Sequence, residues 1–299
     1  MTTSPLGRVV DVAEDGRYLN KHRGFLVVSA AGVEVGRVPL DDLAAVIATS
    51  AATTASCALL AELAERGIPF VLCGRNFAPA GLLWPVAGHH AQQRRMEMQI
   101  ERGPALGKRL WAEVIRAKIL RQGRTLARAG QRAGAFERLA RLVQDGDPDN
   151  LEARAARRYW PLLMGTAFRR DPDGDAANAL LNYGYAVLRA ATARAIAAAG
   201  LHPGLGIFHR HPHNAMPLAD DLMEPLRPLV DKRARELYLA GHDDLNTETK
   251  ASLLGVLTDR VRTAEGVGPL MVHLHPMIAS LVCCFRGEAR QLEIPRACS

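Results

Sequence analysis

Apolar and polar positions change rhythm near Trp84. Before it, short Val-rich runs are separated by Gly, Asp and Asn turn signals, a pattern that predicts strands. Strand-sized pieces fall near Arg8–Val12, Phe25–Ser29, Val33–Val38 and Ala45–Ala48. The stretch "TTASCALLAELAERG" reads as a helix over Thr54–Arg66 stopped at Gly67, and a buried strand Pro69–Cys73 follows. The Pro- and Gly-bearing "APAGLLWPVAGHH" has the composition of a linker.

From about Ala91 to Ser280 the apolar residues recur at helical spacing almost throughout. Leu110, Val114 and Ile115 share one side of a helix, and Arg121, Arg124, Arg128 and Arg132 recur at steps of three and four along another. The loop Asp145–Asn150, "DGDPDN", is suited to cap a helix starting at Leu151, and an Ala-rich helix ends at Gly200. Neither an internal repeat nor a low-complexity tail is evident. The expected fold class is α+β. A small β-rich N-terminal domain (1–85) and a linker (86–94) precede a larger all-α C-terminal domain (95–299).

Composition narrows the partners. Of 299 residues 48% are apolar, enough for a sizeable core. An uninterrupted apolar run of membrane-spanning length is missing, and the start "MTTSPLGRVVDVAEDG" lacks the pattern of a secretion signal. The five cysteines form no CxxC pair, which fits reduced thiols and a cytoplasmic location. Net charge is +7, and Arg94–Arg141 alone holds 13 Lys/Arg against 4 Glu, a local +9. An anionic partner is expected, and charge alone does not choose between nucleic acid and lipid.

Candidate chemistry concentrates in "GIFHRHPHNAMPLADDLMEPLRP", Gly206–Pro228. His209 directly follows the apolar "GIF", where a buried segment emerges. His211 and His213 sit in the turn-forming "HPHN" and read as loop residues. Asp221 and Glu224 lie three apart, on one side of a helical turn, ahead of Pro225 and Pro228, which mark a helix start or kink. They are either hard-metal ligands or solvated helix acids, and Asp220 suits a capping role. Glu152 stands in the first turn of "NLEARAARRYW", where a carboxylate can simply stabilise the helix end. Asn178 and Asn182 in "NALLNYGYAVLRA" either satisfy buried polar groups or orient a ligand.

Taken in order, "NLEARAARRYW", "NALLNYGYAVLRA" and "GIFHRHPHNAMPLADDLMEPLRPLVD" resemble the CRISPR-associated spacer-acquisition integrase, the first-numbered protein of that set. "KRLWAEVIRAKILRQGRTL" and "RVPLDDLAAVI" resemble it too, so the likeness spans nearly the whole chain. The wording "HNAMPLADDLMEPLRPLVD" is most like members from type II systems.

The resemblance implies a β-rich dimerisation domain and a helical catalytic domain. It implies a divalent ion, Mg²⁺ or Mn²⁺, on Glu152, His209 and Glu224, with Asp221 as a supporting or alternative ligand and Asn178 and Asn182 as further support. It implies that a 3′-hydroxyl of a short DNA duplex attacks a repeat phosphodiester, and that water in its place gives cutting. DNA backbone would lie on Arg121, Arg124, Arg128 and Arg132. The implied partners are double-stranded DNA, a second copy of the chain, and the small ferredoxin-like second-numbered protein in a heterohexamer. The resemblance also implies the type II effector nuclease as a further partner, in a cytoplasmic, nucleoid-associated setting without membrane. Two rivals stand beside this reading: a stand-alone metal-dependent structure-specific nuclease, and a DNA-binding scaffold whose site has decayed.

Overall fold

Alternation in the first ninety residues resolves into two four-stranded sheets and one helix. The computed structural model describes residues 8–74, 79–83, 85, 89–174, 176–209 and 213–298. By contacts the chain divides into Met1–Gln92 and Gln93–Ser299. The first unit contains β1 (Arg8–Val12), β2 (Arg17–His22), β3 (Phe25–Ala30), β4 (Val33–Pro39), β5 (Leu43–Ala48), β6 (Thr54–Ala55), α1 (Cys57–Glu65), β7 (Phe70–Cys73) and β8 (Pro79–Leu83). One sheet runs β1-β5-β7-β8 and the other β4-β3-β2-β6. Leu19, Leu26, Val46, Leu59, Leu63 and Phe70 belong to a single buried cluster. Leu59 and Leu63 are one helical turn apart, so α1 turns one face inward.

Three local readings change. The helix starts at Cys57 rather than Thr54, because Ser56 caps it (Leu59 N donates to Ser56 Oγ, 3.2 Å) and Thr54–Ala55 pairs with β2. The linker-like "APAGLLWP" contains β8, whose Leu82 and Gly81 pair with Val71 and Leu72 of β7. Gln92 already begins a helix inside the stretch expected as a linker.

The second unit contains α2 (Gln92–Glu101), α3 (Pro104–Arg128), α4 (Gly134–Leu142), α5 (Leu151–Met164), α6 (Ala177–Ala198) and α7 (Pro217–Met223). A 3-10 turn (Glu224–Leu226) leads into α8 (Arg227–Leu239), α9 (Thr247–Leu254), β9 (Arg260–Thr263), β10 (Gly266–Pro269), α10 (Leu270–Phe285) and β11 (Arg296–Ala297). The fold is therefore α+β, and the mostly helical unit adds a three-stranded antiparallel sheet, β10-β9-β11, to the all-α expectation. "RTAEGVGP" makes its tight turn at Gly266, whose φ of 120° disfavours residues with a Cβ.

Helix α6 packs against α7, α8, α9 and α10 and is buried along most of its length. Its small residues allow this: a Cβ at Gly184 would overlap Val230 of α8. Among the described residues no helix is long and apolar enough to cross a membrane.

Candidate metal and active site

The loop before α5 settles what Glu152 is free to do. Asp147 accepts from the backbone N–H groups of Leu151 (2.9 Å) and Glu152 (3.0 Å), and Asn150 accepts from Ala153 N (3.2 Å). The orphan donors of the first helical turn are thereby satisfied by the loop. The Glu152 carboxylate points elsewhere, with Oε1 2.5 Å from Lys118 Nζ on α3.

Glu224 reaches the same ammonium from a different direction. Pro225 and Pro228 break the chain between α7 and α8, and Glu224 opens the 3-10 turn at that break. Its Oε1 lies 2.9 Å from Arg227 Nε and its Oε2 2.6 Å from Lys118 Nζ. Oε2 is buried, with the Lys118 ammonium as its charge partner. Burial alone would raise the Glu224 pKa; Arg227 and Lys118 outweigh it and hold the carboxyl below its ordinary value. The same balance acts on Lys118. Burial pushes it down, but Glu224 and Glu152 hold its ammonium above the ordinary lysine value.

His209 is positioned from three sides. Asp221, fully buried on α7, accepts from Phe208 N (2.9 Å) through Oδ2 and lies 2.5 Å from His209 Nδ1 through Oδ1. Both of its oxygens are thereby engaged, which makes Asp221 a residue that orients the imidazole. Trp111 of α3 stacks on Phe208 (centroids 4.9 Å, 1° between planes) and meets the His209 ring edge-on (4.8 Å, 84°). The backbone is held too: Gln99 of α2 bonds the carbonyls of His202 and Leu205, and Arg102 bonds that of Gly206. A Cβ on Gly206 would stand 2.7 Å from the His209 carbonyl and 2.9 Å from Pro217 Cβ, so the turn is built on glycine. With Nδ1–H directed at Asp221, Nε2 keeps its lone pair for another partner. The Asp221 hydrogen bond is the main cause that raises the His209 pKa, partly offset by burial; the charges of Asp221, Glu152 and Glu224 add to the rise.

Glu152 from α5 and Glu224 from the 3-10 turn thus meet at Lys118, and His209, from the loop before α7, feels the charge of both. Among the described residues no three His, Cys, Asp or Glu side chains are yet drawn into a ligating cluster. The donor set nevertheless suits a hard divalent cation: two carboxylates already share one cation, and Glu224 Oε2 has unused accepting capacity. Behind Glu224, the Arg227 guanidinium lies over the Tyr185 ring (4.7 Å). Tyr185 and Tyr159 both donate to the buried Asp231, Tyr159 at 2.9 Å, and burial raises the Asp231 carboxyl to about 6.

Other expected residues land elsewhere. Asn178 and Asn182 accept from Arg170 (3.0 and 2.6 Å) and donate to the carbonyls of Arg169 and Pro172 (3.1 and 2.6 Å). They fix that loop, and Arg170 in turn lies 5.5 Å over Tyr185, so they reach Glu224 only through Arg170, Tyr185 and Arg227. Asp220 pairs with Arg189 at 2.8 Å rather than capping α7. His213 is exposed in a turn, and His211 lies outside the described residues.

The arginine face requires a correction. Arg121 is only 5% exposed and donates to the Pro295 carbonyl; burial beside Arg124 and Arg128 lowers its pKa to about 10. A guanidinium so enclosed does not reach DNA. Arg128 donates to the Cys298 carbonyl (2.6 Å) yet stays exposed, as do Arg124 and Arg132. A cavity of about 680 Å³ lies between β9, α10 and the segment 289–296, and none of Glu152, His209 and Glu224 lines it.

Lys118, Arg227, Trp111 and Tyr159 were not singled out from the sequence, and Asp231 and Tyr185, which stand beside the candidate motifs, were given no role there. Lys118 did leave a signal: it follows Val114 by four and Ile115 by three, so a lysine continues an apolar stripe. A buried cation without a partner is costly, so that position announces an acidic partner.

The family model described as "CRISPR associated protein Cas1" matches residues 10–262. A CRISPR-associated endonuclease Cas1 from Neisseria meningitidis serogroup C (strain 8013) is 36% identical over 287 residues, 94% of each chain. A casposase bound to its integration product is similar in structure (TM-score 0.79, 16% identity, 96% of this chain and 93% of that one). So is a chain of a Cas6–RT–Cas1–Cas2 complex (TM-score 0.79, 19% identity, 98% of this chain and 36% of that one).

Proposed function

The chain belongs to the CRISPR-associated Cas1 family, and from that premise we propose that it joins short DNA duplexes into a CRISPR array as a metal-dependent integrase and endonuclease. The observation that carries this reading is the convergence of Glu152 and Glu224 on one cation, beside a histidine whose Nδ1 is held by Asp221. Glu152, Glu224 and His209 Nε2 would hold Mg²⁺ or Mn²⁺, hard ions suited to oxygen-rich ligands. When bound, the ion supplies Lewis-acid stabilisation of charge on the phosphorus oxygens and acidifies the attacking hydroxyl.

The chain's own residues do the rest. Asp221 keeps the imidazole in one tautomer and orientation, Trp111 blocks its rotation, and Arg227 holds Glu224 by one oxygen. The exchange of one phosphodiester for another needs no nucleotide fuel. The exposed Arg124, Arg128 and Arg132 are assigned to DNA backbone, a salt-sensitive and largely sequence-independent contact. Likeness of fold to a casposase solved on its product and to a Cas1–Cas2 assembly supports DNA and the second-numbered partner. A homodimer joined through the β-rich unit, in a heterohexamer with that partner, completes the proposal.

The test is strand transfer against cutting on a leader–repeat substrate, with and without the second-numbered partner and with either ion. Transfer dependent on metal and on Glu152 is expected. Cutting of branched DNA without transfer would favour the stand-alone nuclease, and DNA binding with neither activity would favour the scaffold.

A further inference from the structure

Lys118 has no place in the reaction just described, although it lies at the middle of the site. Its side chain is 12% exposed, and its Nζ stands 2.5 Å from Glu152 Oε1 and 2.6 Å from Glu224 Oε2. It is the group that both carboxylates share, and it links three separate elements, α3, α5 and the 3-10 turn.

We propose that Lys118 is an exchangeable resident cation: its ammonium holds Glu152 and Glu224 together until a divalent ion takes its place. This rests on the metal-centre reading above and extends it to how the centre exists before loading. Charge carries the first part of the argument. Two carboxylates face Lys118 and Arg227, so the cluster is already neutral. A divalent ion on the same oxygens would leave two positive charges in excess beside a buried ammonium, and like charges at such separation exclude one another. Removing the ammonium without a replacement would leave the buried Glu224 and the half-buried Glu152 carboxylates in mutual repulsion.

Chemistry decides which cation leaves. Arg227 is anchored, with its guanidinium 4.7 Å over the Tyr185 ring and an ion pair from Nε to Glu224 Oε1 at 2.9 Å. Lys118 reaches the other Glu224 oxygen at 2.6 Å and donates to Glu152 Oε1, contacts that a metal ion on the same two oxygens would replace. A lysine ammonium is a compact charge on a four-carbon stem, able to withdraw while its helix stays in place. The carboxylates are therefore kept together for the metal by an intramolecular ligand that the metal must outcompete.

The experiment is Mn²⁺ titration, read by the electron paramagnetic resonance of the free ion. The samples are the full-length wild type, Lys118→Met, Lys118→Arg, Glu152→Gln and Glu224→Gln. Thermal unfolding with and without Mn²⁺ runs in parallel. Lys118→Met should bind Mn²⁺ at least about tenfold more tightly, a change of about 1.4 kcal/mol, and show a larger Mn²⁺-dependent rise in Tm. Lys118→Arg should bind no more tightly than the wild type. Unchanged or weaker affinity in Lys118→Met would make Lys118 a scaffold and overturn the proposal; so would equal tightening in both Lys118 variants. If Lys118→Met folds only with metal, its recovery across a Mn²⁺ titration supports the exchange, and failure to recover at any Mn²⁺ concentration overturns it. If Glu152→Gln and Glu224→Gln both bind Mn²⁺ as the wild type does, the metal centre itself is misplaced. That result separates failure of the underlying reading from failure of the exchange.

Discussion

The two units bury different things. Among the described residues of Met1–Gln92, the buried side chains are apolar, whereas Gln93–Ser299 also buries Arg121, Asp221, Glu224, Asp231, Lys250 and several neutral polar groups. An apolar core tolerates any packing of the right volume. A buried charge is tolerated only where a partner meets it, so each one fixes a geometry. Asp221 has Phe208 N and His209, Asp231 has two tyrosines, and Lys250 lies 5.6 Å over the Tyr183 ring. The helical unit gives up solvation of its charges in return for specified positions, and the candidate site is where those positions converge.

The sharpest way to break the contrast is to remove a carboxylate. Glu152→Ala and Glu224→Ala should lower strand joining and cutting by about a thousandfold, with EDTA reproducing the loss. DNA affinity by gel shift should hold, since affinity is assigned to arginines. His209→Ala should join them, while the exposed His213→Ala should keep most activity. Parallel loss of binding in the acid variants would make the acids structural.

Next in size is close packing. Gly184→Ala forces a Cβ onto Val230 and should cost about 1–3 kcal/mol in denaturant unfolding. Gly36→Ala in β4, with open space around it, should stay within about 0.5 kcal/mol. Equal costs would remove the distinction between the two interiors.

Acidity gives a third, smaller handle. The Asp231 carboxyl is raised from 3.8 to about 6, so the folded state holds its proton more tightly than the unfolded chain does. Its contribution is therefore most favourable below about 3.8 and is lost as pH rises through about 6. Relative to Asp231→Asn, the wild type should lose on the order of 1–3 kcal/mol between pH 4 and pH 7. A difference that stays flat across that range would show that Asp231 titrates normally.

The smallest effect separates the arginines. Arg124→Ala should lower the slope of log affinity against log salt by about one. Arg121→Met should leave that slope alone and instead lower stability, because the Pro295 carbonyl loses its donor.

What was legible in the sequence depended on range. Strand and helix rhythm needs only near neighbours, and β3, β4 and α5 begin where the pattern placed them. His209 was distinguished from His211 and His213 by a local cue, the apolar "GIF". The arginine face failed for the opposite reason. Helical spacing put Arg121 with Arg124 and Arg128, but the segment that covers it lies 174 residues away. The asparagines of α6 were open to two readings, and the deciding contact, Arg170, came from a loop without periodic signal. Lys118 shows both limits at once: its place on an apolar stripe was visible, while the acids that justify it come from positions 152 and 224.

The clasp between α3 and the segment around Pro295 also bears on how the protein is made. A ribosome adding about 5–20 residues per second needs about 10–35 s to travel from Arg121 to Pro295. The β-rich unit has every strand partner within its own first ninety residues and closes early. Helix α3 emerges soon afterwards, with its guanidinium in place and the carbonyl that receives it still unsynthesised. Helices α4 and α5, which pack on α3, follow it within that interval, so what stays uncovered is the face that the segment around Pro295 will close. Translation speed through the second half of the message therefore sets how long Arg121 waits for the carbonyl that receives it.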